Sequence, residues 1–416
     1  MPDLHRTKVA HSNYLIAELI NDETEEERER EEIKMIINGK YSSAEVFTVN
    51  NQETAIDQYA IAQLQMLCDN QVSKDSVIKV MPDVHPGKVC TIGLTMTVGN
   101  SIMPQVVGID IGCGMTISQI KTKKIEYQKL DTVIRDNVPS GFAVRKKAHL
   151  KANDFDLSSL KCIKHIREEN ALKSLGTLGG GNHFIEVGKD EDSNFYVNIH
   201  SGSRNLGKEV TEYYMKEGQK ILKEQNLEIP YELTYLTGEL MNDYIHDLNI
   251  VQDFANLNRQ IMIDELVKGM KWKVIDQINC IHNYIDCRKE TVDILSSPVL
   301  RKGAISALKD EDVIIPINMR DGIILGKGKG NEDWNCSAPH GSGRILKRVD
   351  IKGKYTVSHY KTAMKGIYSP SINSNTLDEA PFAYRPIDEI QEAISETVSI
   401  EKIIKPVYNF KAGAED

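Results

Sequence analysis

The spacing of apolar and polar positions changes character several times along the chain. From Tyr14 to Ile37 apolar residues recur at helical intervals among many charges, which predicts a helix lying on the surface. Ala55 to Leu67 is a second helical stretch, with Ile56, Ala60, Leu64 and Leu67 on one face. Short β-branched runs follow: VIKVMPDV, TIGLTMTV, QVVGIDIG and MTISQI. Gly and Pro separate them, and together they predict strands joined by tight turns. Residues 155–175 read as helix and lead into Gly176 to Gly181, with FIEV and FYVNIH as two further strands. Residues 208–277 are rich in helical periodicity, and TVDIL and VIIPINM predict more strands. PIDEIQEAISETVSI reads as an amphipathic helix ahead of IIKPVYNFKA.

No internal repeat and no Pro/Ser-rich linker interrupts this order. Strands and helices without clean βαβ alternation predict an α+β (mixed α/β) fold. The expected division is an acidic helical extension over residues 1–45 and one large domain over 46–416.

Composition narrows the class. The 416 residues carry a net charge of −9, 40% are apolar, and the mean hydropathy is −0.37, which fits a globular chain. No apolar stretch approaches the length of a membrane span, and the N-terminus has no signal-peptide core. Residues 22–32 (DETEEEREREE) carry a net −6, so the remainder is near −3 and can still hold a local phosphate grip. Seven cysteines, an odd number without CxxC, argue against a disulfide framework and for a reducing, cytoplasmic setting.

Five stretches carry candidate chemistry. GIDIGCGM places Asp110 and Cys113 at a Gly-rich turn. GTLGGGNHF presents Asn182 and His183 behind three glycines, a backbone that can approach an anion closely. His200 closes the run VNIH, with Arg204 four residues on, and His282 lies in INCIHNY. One carboxylate, one thiolate and three imidazoles suit a borderline transition metal such as Mn, Zn, Fe or Co. Five ligands exceed what one four-coordinate ion takes, so two ions bridged by the thiolate are expected. The fifth stretch, GKGKGNEDWNCSAPHGSGRILKR, sets His340 beside glycines with Arg344 and Arg348 downstream. A helix starting near Gly343 would concentrate positive charge at that imidazole and favour phosphate.

Taken as a set, MPDVHPGK, GIDIGCGM, GTLGGGNHFIEV, HSGSR, HNY, RKGA, GKGN and CSAPHGSGR resemble the RtcB family of RNA ligases, in order from about residue 50 to the C-terminus. The resemblance implies a GTP- and Mn2+-dependent enzyme that joins RNA 3′-phosphate or 2′,3′-cyclic phosphate ends to 5′-hydroxyl ends, in tRNA splicing or RNA repair. It implies one manganese on Asp110, Cys113 and His183, a second on Cys113, His200 and His282, and His340 as the nucleophile that takes up GMP. Asn182, Phe184, Glu186, Asn318, Arg344, Tyr384 and Lys411 would line the nucleotide; Arg204, Lys302 and Arg348 would meet RNA. An archease-like activator is a candidate partner. The stretch Pro316 to Arg320 stands where the family has Pro-Gly-Ser-Met-Gly, and Pro339 replaces a Ser or Ala before the histidine, which marks a divergent paralogue.

Two other readings stay open at this level. A metal-dependent phosphoesterase would open cyclic phosphates without joining ends. A non-catalytic RNA-end binder would neither cleave nor join.

Overall fold

A computed structural model describes residues 34–48 and 56–412, so the acidic run 22–32 lies outside the described residues. Seventeen strands are described. In chain order they are β1 (Lys34–Asn38), β2 (Ser43–Phe47), β3 (Ile78–His85), β4 (Ile92–Thr97), β5 (Ser101–Ile102), β6 (Gly114–Lys121), β7 (Phe184–Lys189), β8 (Phe195–Ser201) and β9 (Leu236–Thr237). Then come β10 (Lys273–Ile281), β11 (Asn283–Asp286), β12 (Val299–Lys302), β13 (Ala304–Ser306), β14 (Asp312–Asn318), β15 (Gly322–Gly328), β16 (Ser337–Pro339) and β17 (Val398–Lys411).

Two sheets dominate: β1-β2-β3-β4-β12-β11 and β10-β6-β8-β7-β17-β15-β14. Every pairing in them is antiparallel except β2 with β3. Helices Gln58–Cys68, Arg204–Glu224 and Gly238–Met270 share one apolar core with the first sheet. The seven-stranded sheet buries one face against Leu130 and Ile134 of helix Tyr127–Asn137 and against Met262, Ile263 and Leu266 of helix Gly238–Met270. The mixed α+β class is as expected from the sequence.

Several elements differ from the sequence reading. The described end of the stretch read as a surface helix is strand: Lys34–Asn38 pairs with Ser43–Phe47, which pairs with β3. QVV at 105–107 is helical, because Pro104 at its start presets φ and needs no N–H partner. TVDIL belongs to helix Lys289–Leu295, which buries only Thr291 and has Glu290 in its first turn, where an acid favours helix. Residues 155–175 are mostly irregular, with helix confined to Ile163–His165 and Glu168–Ser174; Asp247 instead accepts from the backbone of Lys161 and Cys162. The helix read over 386–400 stops at Ala393, and Val398 already pairs with Gly328.

Candidate active site

Period-2 alternation builds the floor of the site. In β8, Val197 and Ile199 enter the core under the long helix, so Asn198 and His200 face the opposite side. Ile185 and Val187 in β7, and Tyr408 and Phe410 in β17, do the same, which turns Phe184, Glu186, Asn409 and Lys411 toward the site. Register completes the arrangement: Phe184 stands between His200 and Lys411, and Glu186 between Asn198 and Asn409.

The five metal-ligand candidates converge at the end of this face. Cys113 Sγ lies 3.4 Å from His183 Nε2 and 3.3 Å from His200 Nε2; His200 Nε2 is 3.3 Å from His282 Nε2. Asp110 Oδ2 is 3.1 Å from His183 Nε2. Two overlapping triads result, Asp110–Cys113–His183 and Cys113–His200–His282, each with its donor atoms within 4.8 Å of one another. His183 Nδ1 faces Leu178 O at 2.8 Å and His200 Nδ1 faces Asn182 O at 3.2 Å, so a backbone carbonyl fixes each tautomer and leaves Nε2 as the donor. Burial, reinforced by neighbouring histidines, holds His200 and His282 well below the ordinary imidazole range. Burial and the Asp110 carboxylate push the Cys113 thiol well up. Neutral imidazoles with one polarisable sulfur shared between two triads fit a pair of borderline divalent ions.

The loops that carry these ligands are tied to one helix. Arg259 is fully buried and donates to Gly112 O and Ser201 O, both at 2.8 Å. Its neighbour Asn258 accepts from the amides of Gly176 and Thr177 and donates to Thr177 O, Ser201 Oγ and Gly202 O. Gly112 adopts φ +69° against the same helix, where a Cβ would stand 2.9 Å from the Cβ of Ala255.

His340 follows β16 and reaches the cluster from the other side. Its ring centre is 4.8 Å from that of His282, and its Nδ1 is 2.7 Å from Asp83 Oδ2. A carboxylate only accepts, so Nδ1 carries a proton, and in the neutral ring the lone pair is on Nε2. No helix starts near Gly343; the next begins at Arg348. Both arginines also have acidic or hydroxyl partners of their own. Arg344 Nη1 donates to Tyr384 Oη at 3.0 Å and Arg344 Nη2 to Asp378 O at 2.6 Å, while Arg348 pairs with Asp378 and with Glu379 at 2.6 Å. The arginines brace a cavity wall.

That cavity opens beside His340 and is lined by Asn182, Phe184, Glu186, Asn318, Arg344, Tyr384 and Lys411. Glu379 ties it together: its carboxylate meets Lys411 Nζ and Tyr384 Oη, each at 2.6 Å. Burial alone would raise Glu379, but Lys411, Arg348 and Arg344 outweigh it and hold it at about 2. Glu186 behaves oppositely, since burial pushes it up to about 8 despite the Asn409 hydrogen bond. Glu186 Oε1, Asn409 Oδ1 and both polar atoms of Asn198 are buried without a partner. Such orphans are costly, and a flat polar ligand with donors and acceptors on its edge satisfies them. Asn318 lies on the wall but spends its side chain on Asp321 and on the amide of Arg320.

The RNA-contact candidates are less uniform. Arg204 lies in a groove beside Asp110 and donates to Gly141 O at 3.2 Å. Lys302 directs its ammonium to Val107 O at 3.3 Å, beside the turn that carries Asp110. Arg348 is held in the acidic pairs above. Sequence reasoning missed Asp83, Glu379, Asn258 and Arg259. MPDVHPGK, already part of the resemblance, carried a signal for Asp83, and a charged residue inside the apolar helix FANLNRQIMI carried one for Arg259.

Comparison with known proteins agrees with this geometry. The sequence model described as "tRNA-splicing ligase RtcB" matches residues 63–165 and 157–412. An RNA-splicing ligase RtcB1 from one strain of Escherichia coli is 32% identical over 366 residues, covering 79% of this chain and 88% of the relative. RNA-splicing ligase RtcB of another strain is 31% identical over the same coverage. A tRNA-splicing ligase RtcB of Aeropyrum pernix is 25% identical over 84% of this chain and 89% of its own length. With a match of this extent, and with the motif residues gathered around one centre, the chain belongs to the RtcB family of RNA ligases.

Proposed function

We propose that this RNA ligase joins RNA ending in a 3′-phosphate or 2′,3′-cyclic phosphate to RNA beginning with a 5′-hydroxyl, using GTP and two Mn2+ ions. The observation that carries the reading is the position of His340. It stands at the mouth of a cavity with unpartnered polar groups, Asp83 on its Nδ1, its ring beside the histidine cluster.

Asp110, Cys113 and His183 would hold one ion and Cys113, His200 and His282 the other. When bound, the ions supply charge neutralisation at the phosphates. His340 Nε2 attacks the α-phosphorus of GTP; a P–N bond forms and the bond to pyrophosphate breaks. The imidazolium so formed keeps its Nδ1 proton against the Asp83 carboxylate, which stabilises the developing positive charge. An RNA 3′-phosphate oxygen then attacks the same phosphorus, the P–N bond breaks, and His340 is restored. In the joining step the 5′-hydroxyl oxygen attacks the activated 3′-phosphate, its proton passes to solvent, and GMP leaves. Glu186, Asn409 and Lys411 would recognise the guanine edge, with Phe184 and Tyr384 at its flanks. Arg204, Lys302 and Arg348 would meet RNA, of which Arg204 is the best placed.

Incubation with Mn2+ and α-labelled GTP tests the proposal. Acid-labile label on the wild type that disappears in His340→Ala is the expected result. No label, with cyclic phosphate still opened, establishes an esterase instead; binding without turnover establishes an RNA-end binder.

A further inference from the structure

Three arginines are buried among the described residues: Arg259, Arg301 and Arg385. The first two spend their guanidinium protons inside the fold. Arg259 donates to Gly112 O and Ser201 O, and Arg301 to Asp286, Tyr284 and Ser337. Arg385 differs. It is 9% exposed, its Nε is buried without a partner, and its guanidinium makes no hydrogen bond within the described residues. The one described carboxylate within 4 Å is Glu389, 3.7 Å from Nη1. A cation buried with its donors unspent is costly, and an oxygen anion is the ligand that offsets the cost.

The backbone decides what this cation faces. Tyr384 is extended (φ −119°, ψ 157°), so successive side chains leave on opposite sides. Tyr384 lines the cavity beside His340, and Arg385 lines a neighbouring groove. The Arg385 amide donates to Gly343 O at 3.2 Å, which ties it to the loop that carries His340. His340 borders both spaces. Lys88 and Lys354 also line the groove, exposed and without a described carboxylate within 4 Å, and Tyr59 lines it 58% exposed. The other cations there are spent: Lys347 on Asp57 at 3.0 Å, Arg344 and Arg348 on the acids described above.

We propose that Arg385 is a phosphate subsite for the RNA strand that ends in a 3′-phosphate, and that it holds an internucleotide phosphate upstream of the reacting end. A guanidinium fork matches the paired oxygens of a phosphodiester, which satisfy several donors at once. The assignment to this strand rests on the ligation reading above. The 3′-phosphate must reach the guanylylated His340, guanosine fills the cavity on one side of that imidazole, and the groove approaches it from another. Lys88 and Lys354 add unpaired charge along the groove, and Tyr59 offers a ring to a base.

The test uses the full chain with Mn2+ and no GTP, and fluorescence anisotropy of a short single-stranded oligoribonucleotide with a 3′-phosphate and a dye at its 5′ end. Arg385→Gln is expected to weaken binding about tenfold and to make the salt dependence shallower by about one. Arg385→Lys is expected to recover part of the loss, because it keeps the charge without the fork. A nucleoside 3′-monophosphate, which lacks an internucleotide phosphate, should compete equally well in both proteins; competition that falls in Arg385→Gln moves the contact to the terminal phosphate and overturns the proposal. Labelling of His340 by α-labelled GTP is the comparison arm. Loss of labelling with oligonucleotide binding kept gives Arg385 to the triphosphate and overturns it as well. No internal partner is lost, so Arg385→Gln should melt at or above wild type without RNA. Weakened binding accompanied by a lower melting temperature in both variants makes the residue structural and removes the subsite. Wild type that binds the oligonucleotide yet never joins ends with Mn2+ and GTP strikes the ligation reading. Wild type that joins ends while Arg385→Gln binds normally strikes the subsite alone.

Discussion

Asp83 and His340 are 257 residues apart in sequence and meet at 2.7 Å, Oδ2 to Nδ1, with the Asp83 side chain wholly buried. The pair fixes which ring nitrogen is free. Asp83→Asn keeps the shape but presents either an amide donor or a weaker, neutral acceptor to Nδ1, so the tautomer with a free Nε2 is no longer enforced. Labelling of His340 by α-labelled GTP is expected to slow about 100-fold or more, with little change in melting temperature. Undiminished labelling in this variant would remove Asp83 from the mechanism.

Cys113 is the one donor shared by both candidate triads. Cys113→Ala is therefore expected to lose both ions, whereas His282→Ala keeps the site built on Asp110 and His183. Elemental analysis of protein reconstituted with Mn2+ and passed over a desalting column decides it. Full manganese content in Cys113→Ala contradicts the shared thiolate.

Glu379 sits nearly out of solvent among Lys411, Arg344 and Arg348. Removing its charge strands these cations, so Glu379→Gln is expected to cost about 3 kcal/mol in urea unfolding at pH 7. The sign of its pH dependence follows from its depressed position. The contribution is complete above the unfolded carboxyl value of about 4.5 and fades as pH falls toward about 2. The stability gap between wild type and variant should narrow between pH 5 and 3, as chemical denaturation at each pH will show. A gap that stays constant rules the ion network out as its source.

Glu186 shifts the other way. Held at about 8, it binds a proton in the folded state that the unfolded chain has released, so its share of stability is present below about 4.5 and declines as pH rises through 8. A guanine edge presents N–H donors and favours the carboxylate. Nucleotide binding should therefore release a proton and tighten about eightfold between pH 7 and 8.5. Calorimetry in two buffers of different ionisation enthalpy measures that proton directly. Glu186→Gln should abolish its release; proton release that persists in the variant assigns it to another group.

Much of the site was legible because its chemistry is local in sequence. Asp110 and Cys113 share a turn, Asn182 and His183 follow three glycines, and His200 ends an apolar strand; each carries its signal within a few residues. Glu379 carried none. Its role exists only because β17 brings Lys411, and two loops bring Arg344 and Tyr384, to the same carboxylate. The partners of Arg344 and Arg348 carried none either, since Asp378 and Glu379 are laid against them only by the fold.

Elements followed the same division. Short β-branched runs between Gly and Pro specified β3, β4, β6 and β8, which are buried along nearly their whole length. The same signal failed at TVDIL, which buries only Thr291 behind an acid at a helix start, and at QVV, where Pro104 starts a helix although Val106 and Val107 are buried.

The sequence by itself determined the family and brought out the candidate metal donors and the candidate nucleophile, because each depends on residue chemistry and short spacing. Only tertiary structure decided which charges are paired and which imidazole nitrogen faces a carboxylate. Those properties depend on distance and burial, and both are set by contacts between segments hundreds of residues apart.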